Sequence, residues 1–219
     1  MLFAGKTKLM TYNSVDQVGN TCKEKYFIFV GQVLNENLTF LRFHIRKTIY
    51  YSLFDSHLNF GNILWGCASN KLLKRIDTLQ KKCIRNVTLQ KYNAHSEPLF
   101  KSLGILKNSD KIVYNQAIFM RQYRNKKLPV SFENMFLDIT DQDELQTRNN
   151  DYNFQNTPAI KRYLEKFPKK VLVSNWNYLN IECKATAEPE EFKLLLKQKI
   201  LSFYSSETDC DIDCFICNT

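Results

Sequence analysis

The chain has 219 residues, of which 44% are hydrophobic, 13% aromatic and 24% charged, and its formal net charge is +9. These values are typical of a globular domain, and a chain of this length can bury about 70% of its unfolded surface. No segment approaches the ~20 apolar residues that a membrane-spanning helix requires, so we expect no membrane partner.

The cysteine content and the N-terminal residues indicate an intracellular protein, nuclear or cytoplasmic. Seven cysteines are an odd number and are too sparse for a disulfide-stapled secreted domain. The first residues lack the apolar core of a secretory signal. The excess of Lys and Arg over acids favours RNA or DNA as partners through counterion release, although such an excess can also serve solubility alone.

Along the chain, residues 1–25 are polar and aperiodic, which predicts a disordered leader. Residues 26–34 are rich in aromatic and β-branched side chains and predict a small β element. Beyond residue 38 apolar side chains recur every four residues, which predicts a helix with one stripe against a core. This stripe consists of Leu41, Ile45, Ile49, Leu53 and His57.

Three further helices are predicted from residue 70 to residue 128. The first is amphipathic, with Leu72, Ile76, Leu79, Cys83, Ile84 and Val87 on one face. A short helix begins after Ser96, with Pro98 in its first turn, and stops at Gly104. A longer one starts near Ser109 and ends before Pro129.

The remainder divides into a loop-rich segment over 131–187, a C-terminal helix over 188–205 and a Cys-rich tail over 206–219. Asn, Asp and Gln dominate the segment, and Glu188 and Pro189 open the helix. With a helical region over 26–130, the sequence predicts a mainly α fold: an irregular helical bundle with a small N-terminal β element and a long loop-rich segment.

Basic side chains on two of the predicted helices are the candidate nucleic-acid contacts. They are Lys71, Lys74, Lys81, Lys82, Arg85, Arg121 and Arg124. Phosphate contacts of this kind would position the chain without reading base sequence. The alternative interpretation is a solvated helix face. Trp65 and Trp176 are interpreted as core anchors, with stacking on bases as the alternative.

No metal or cofactor site is expected. Cys210, Cys214 and Cys217 have spacings that suit zinc, but a closed structural site needs four ligands. The fourth would have to be Cys183 or a distant His, so an unstructured tail is the preferred interpretation. The six glycines are dispersed and form no phosphate-binding loop.

Residues 49–66, IYYSLFDSHLNFGNILWG, closely resemble the segment after the polymerase core in reverse transcriptases of jockey-like non-LTR retrotransposons, which has the form IYYSLxxSHLNYG followed by an Ile/Leu-Trp-Gly turn. The resemblance continues in order at residues 79–85, LQKKCIR, and 95–106, HSEPLFKSLGIL. It covers about residues 26–205. The region lies downstream of the catalytic palm and is shorter than in the family before residue 49, where an internal deletion is the simplest interpretation.

The resemblance implies the C-terminal, non-catalytic remnant of an RNA-directed DNA polymerase. Nucleotidyl transfer uses two metal ions held by palm carboxylates, typically in a Tyr-x-Asp-Asp turn, and this tetrapeptide does not occur here. We therefore expect no enzymatic activity from the chain on its own, and contacts to RNA or DNA through its helices. The alternative is a helical interaction or structural domain whose apolar stripes meet the missing polymerase core or another protein.

Overall fold

The computed structural model describes residues 40–139, 152–156, 167–186 and 188–204. The predicted leader over 1–25, the β element over 26–34 and the Cys-rich tail over 206–219 lie outside these residues. Most of the described residues are helical, which confirms the mainly α class. Their one β feature is an isolated antiparallel bridge between Asp138 and Phe154.

The helices up to residue 124 follow one another with short connections. These are α1 Phe43–Ile49, a π-helical segment Tyr50–Asp55, α2 Ser56–Asn59, α3 Asn62–Trp65, α4 Asn70–Thr88, α5 Glu97–Leu103 and α6 Asn108–Arg124. The later elements are a 3-10 turn Val130–Phe132, α7 Pro168–Tyr178, α8 Ile181–Ala185 and α9 Pro189–Ser202. No helix among the described residues is both long and apolar enough to cross a membrane.

The first helical rod, formed by α1, the π-helical segment and α2, buries a different stripe from the one predicted. Tyr50, Phe54 and Leu58 are fully buried, whereas Ile45 and His57 are exposed. The four-residue period is correct, but its phase is displaced by one residue. Two adjacent stripes are apolar here, and the larger rings of Tyr50 and Phe54, stacked at 5.5 Å, occupy the core.

Helices α4, α5, α6 and α9 lie close to their predicted positions. The apolar face of α4 is confirmed, since Ile76, Cys83, Ile84 and Val87 are buried. Gly104 ends α5 with a left-handed backbone at φ 64°, as a C-terminal glycine commonly does. The C-terminal helix begins at Pro189, directly after Glu188.

The segment over 131–187, predicted to be loop-rich, contains two helices, α7 and α8. This corrects the prediction for residues 168–185. Pro168 starts α7 at its first position instead of breaking a helix, because the missing proline N–H falls where no intrahelical bond would form. Leu172, Val173 and Trp176 then form a short buried face.

The buried apolar residues form two clusters. The first joins the π-helical segment to α4 and α5, and the second joins α6, α7 and α9 with Phe136 and Phe154. Ile200 on α9 packs against both clusters. The buried face of α4 belongs to the first cluster, and α4 also packs against α6, whereas its opposite side carries exposed side chains.

Candidate nucleic-acid interface

The exposed side of α4 carries a strip of five basic residues, here called the basic strip. At about 100° per residue, their positions fall within about one third of the helix circumference. The strip is about 16 Å long at 1.5 Å per residue. Four of its members are exposed and Lys81 is half-buried. The members are Lys71, Lys74, Arg75, Lys81 and Lys82.

The rotation of α4 about its axis is fixed by Gln80, which is buried opposite the strip. Its Nε2 donates to the Tyr50 hydroxyl and to the Leu106 carbonyl, both at 3.0 Å. Its Oε1 accepts from the Asn108 backbone N–H at 2.8 Å. Because a buried amide must keep its partners, this network holds the basic strip toward solvent.

The acidic residue nearest the strip in sequence, Asp77, is half-buried and bonded to a neighbouring helix. Its Oδ1 accepts a hydrogen bond from Asn108 Nδ2 at 3.0 Å. Burial is the main cause that raises the pKa of Asp77, and the bond from Asn108 and the charge of Lys81 oppose the rise. Helix α4 has no acid in its first turn. The only acid within α4 is therefore engaged with α6, and the strip itself is made of cations.

Arg85, predicted as part of the same surface, is buried and is removed from the candidate contacts. Its helical position lies within the strip, but its Nε donates to the Ala94 carbonyl at 2.7 Å. The connection between α4 and α5 thus folds back over this end of the strip. A contact with a loop nine residues away is not encoded in helix periodicity, which explains why Arg85 was expected on the exposed face.

Arg121, also predicted to contact nucleic acid, is a structural residue. It is buried, its Nη1 donates to the Lys184 carbonyl at 2.6 Å, and its Nη2 donates to the Thr186 carbonyl. Its guanidinium lies over the Phe192 ring at 5.3 Å. These contacts connect α6 to the turn between α8 and α9, so the side chain is not available to a phosphate.

Arg124 is half-buried and lies 5.0 Å from the centre of the Tyr152 ring, so it too is engaged within the fold. The structure therefore does not extend the basic strip with the end of α6. Close to Arg124 is a buried cation that no sequence pattern indicated, Lys184. Burial first, and the charge of Arg124 second, lower the pKa of Lys184 to about 8.

Lys184 has neutral partners among the described residues. Its Nζ donates to Asn153 Oδ1 at 2.8 Å and to the Asn177 carbonyl at 2.9 Å. The ammonium also lies 6.0 Å from the centre of the Trp176 ring. Its surroundings are those of a structural lysine that connects α8 to α7.

Both tryptophans are engaged within the fold, as the sequence predicted. Trp176 is fully buried and donates from Nε1 to the Tyr152 carbonyl at 2.7 Å. Trp65 is half-buried against the first cluster, and its Nε1 donates to the Phe60 carbonyl at 2.9 Å. Neither ring belongs to the basic strip, so core anchoring is the interpretation that the structure supports.

Only some of the cysteines lie within the described residues. Cys183 is buried in the second cluster. Cys210, Cys214 and Cys217 lie outside the described residues. Within the described ranges, no group of three or more His, Cys, Asp or Glu side chains could hold a metal ion.

Comparison of the chain with models of protein families, with curated proteins and with solved structures found no match.

Proposed function

We propose that this chain is a helical domain that binds RNA or DNA through the basic strip of α4. The observation that carries the proposal is the strip itself: five cations on one exposed face of a 19-residue helix whose other face is fixed in the core. A rigid helix presents its cations without losing backbone freedom on binding.

The strip is suited to contact phosphates, not base edges. Its members are four lysines and one arginine, and lysine acts toward phosphate as a point charge. Each phosphate neutralised releases condensed counterions, so affinity falls as salt rises. We therefore propose binding that depends on the phosphate backbone and discriminates little between base sequences.

The origin that fits this proposal is the post-palm region of a jockey-like reverse transcriptase. Supporting it, the residues of the resembling run include the side chains that build the first cluster, Tyr50, Phe54 and Leu58. Translating the genomic DNA upstream of Met1 would test the origin. An in-frame palm with its paired Asp is expected, and an unrelated coding sequence there would contradict it.

Charge reversal in the strip tests the binding role. The variant Lys74→Glu/Lys82→Glu is expected to weaken binding of a mixed-sequence oligonucleotide at low salt by about tenfold or more, because two attractive contacts become repulsive. Fluorescence anisotropy with labelled RNA and DNA would measure it. Circular dichroism would establish that both variant and parent remain helical.

The matched control is Lys169→Glu/Lys170→Glu, which makes the same change in net charge. Both lysines lie in the first turn of α7, a helix whose buried face belongs to the second cluster, and acids in a first turn are favoured by the helix dipole. Binding close to that of the parent is expected. Equal losses in the two variants would mean that only net charge matters, and the strip would have no special role.

A second candidate function is protein binding, favoured by exposed apolar side chains at the turn between α2 and α3. Phe60 is 78% exposed and Leu64 is 64% exposed, although both are large and apolar. Contiguous exposed apolar surface commonly marks an interaction site. Sedimentation of the parent and of Phe60→Ser/Leu64→Ser would show a loss of association if this surface is used.

A further inference from the structure

The connection between α4 and α5 places an exposed aromatic ring at the C-terminal end of the basic strip. Helix α4 ends when the N–H groups of Leu89 and Gln90 bond to the carbonyls of Asn86 and Arg85, at 3.2 and 2.9 Å. The chain then turns over the Arg85 side chain, which donates to the Ala94 carbonyl. Residues 90–94, here called the α4–α5 loop, therefore lie beyond the C-terminal end of the strip, on the side of α4 that Arg85 shares with it.

This loop is held in one conformation by contacts of its own. The Ala94 N–H bonds to the Lys91 carbonyl at 3.0 Å, which closes a tight turn. Leu89, directly before the loop, has a left-handed backbone at φ 54°, which is costly for a residue other than glycine. This geometry closes the end of α4 and fixes the direction in which the loop leaves the helix.

Tyr92 is at the tip of this turn and is 75% exposed, and Lys91 beside it is exposed as well. The Tyr92 ring stacks on no other ring among the described residues. A single exposed tyrosine would need no explanation on its own. The position of Tyr92 is what matters here. The loop that carries this ring follows the helix that carries the basic strip, and buried Arg85 bonds to that loop at Ala94.

We infer that Tyr92 stacks on an unpaired base of single-stranded RNA whose phosphates follow the basic strip. This inference rests on the proposed function and names the class of nucleic acid. A ring beside a cationic groove is the combination by which proteins hold single strands without sequence preference. A duplex offers the same phosphates, but its bases are stacked on one another and cannot accept the ring. RNA is the preferred source because unpaired bases are the elements that proteins most often recognise in it.

The experiment compares one RNA oligonucleotide as a single strand and as a duplex, both labelled and titrated with the full chain. The substitution Tyr92→Ala is expected to weaken single-strand binding between about fivefold and a hundredfold, the range of one base stacked on one aromatic ring. Duplex binding is expected to change less than twofold. The substitution Tyr92→Phe keeps the ring face and should restore single-strand affinity.

The matched control is Tyr178→Ala. Tyr178 is 94% exposed at the end of α7, a helix whose buried face belongs to the second cluster, so its loss removes an accessible ring that is not on α4 or its loop. Affinity equal to that of the parent is expected. Because Tyr92 carries no charge, Tyr92→Ala should also leave the salt dependence of binding unchanged, in contrast to a substitution of a strip lysine.

The outcomes separate this inference from the function on which it rests. If Lys74→Glu/Lys82→Glu loses binding while Tyr92→Ala binds the single strand like the parent, the strip stands and the stacking role is overturned. Equal losses for single strand and duplex in Tyr92→Ala would also overturn stacking. A tenfold preference for the same strand made of DNA would overturn the assignment to RNA. If the parent binds neither form, both proposals fail.

Discussion

Three helices of this protein end in the same backbone geometry but with different residues at the left-handed position. After α4, α5 and α6 the residues are Leu89 at φ 54°, Gly104 at φ 64° and Lys126 at φ 53°. In each case the next N–H bonds to the carbonyl five residues earlier, and these bonds close the helix end. Glycine alone adopts this conformation without steric cost, so Leu89 and Lys126 retain strain that Gly104 avoids.

This difference gives a paired prediction for stability. Lys126→Gly is expected to raise the free energy of unfolding by about 0.5–1 kcal/mol, because the side chain is exposed and only backbone strain is relieved. Gly104→Ala is expected to lower it by about 1 kcal/mol, since a Cβ there meets no atom within 4 Å and strain is the whole effect. Urea denaturation would measure both, and changes of the same sign would contradict the explanation.

The lowered pKa of Lys184 predicts how the stability of the fold depends on pH. Its pKa in the folded protein is lowered from 10.5 to about 8, so between these values the unfolded chain holds a proton that the folded chain has released. The free energy of unfolding contributed by this group therefore rises as pH increases through that window. Tyr204 and Cys83 act in the opposite direction, because burial raises the pKa of each.

A variant isolates the contribution of Lys184 from these opposing groups. Urea denaturation of the parent and of Lys184→Met at pH 7, 8.5 and 9.5 gives a stability difference at each pH. The free energy of unfolding of the parent minus that of the variant is expected to increase as pH rises. A constant difference would mean that Lys184 titrates equally in the folded and unfolded chain.

At the scale of elements, the contact between α3 and α6 depends on a glycine. A Cβ on Gly66 would lie 2.4 Å from Ile112 Cγ2 and 2.5 Å from the Asn62 carbonyl oxygen, although the backbone φ of −62° suits any residue. The glycine is therefore needed for close approach and not for its conformational freedom.

Gly66→Ala is accordingly expected to destabilise the fold by about 1–3 kcal/mol through overpacking. The cost should be smaller when Ile112→Ala is present, because that change removes one of the two clashing groups. Thermal or urea denaturation of both single variants and the double variant would give the coupling. Strictly additive costs would argue against so close an approach of α3 to α6.

The helices that sequence reasoning predicted well are those with strong local signals. The α4 stripe is long and regular, Gly104 ends α5, and Glu188 and Pro189 begin α9. Helix α7 was missed because its buried face is short and Pro168 was interpreted as part of a loop. A proline can begin a helix or lie in a loop, and sequence alone does not distinguish these roles. Here the packing of Trp176 favours the helix.

At the scale of the whole molecule, the candidate site was predicted in part. Lys71, Lys74 and Lys82 are exposed as expected, since helix periodicity alone separates them from the core. Arg85 and Arg121 are buried instead, because each side chain bonds to a carbonyl outside its own helix, at Ala94 and Lys184. Local charge patterns carry no information about such tertiary contacts.

The two-cluster arrangement also explains why the proposed interface is on α4 and not on α6. Helix α6 packs against α3, α4, α7 and α9, so its basic residues Arg121 and Arg124 become internal contacts. Helix α4 also packs against several elements, namely α1, the π-helical segment, α5 and α6, but Lys71, Lys74 and Lys82 lie on its exposed side, whereas Arg85 becomes an internal contact. Whether a cation is exposed or internal therefore depends on the side of the helix that it occupies and on the segments that pack there.

The most direct test of the central claim is the salt dependence of single-stranded RNA binding by the full chain. A plot of log Kobs against log salt is expected to fall with a slope of about 0.7 for each phosphate contacted, and Lys74→Glu/Lys82→Glu should reduce that slope by more than one. A parent slope near zero, or an unchanged slope in this variant, would contradict binding through the basic strip.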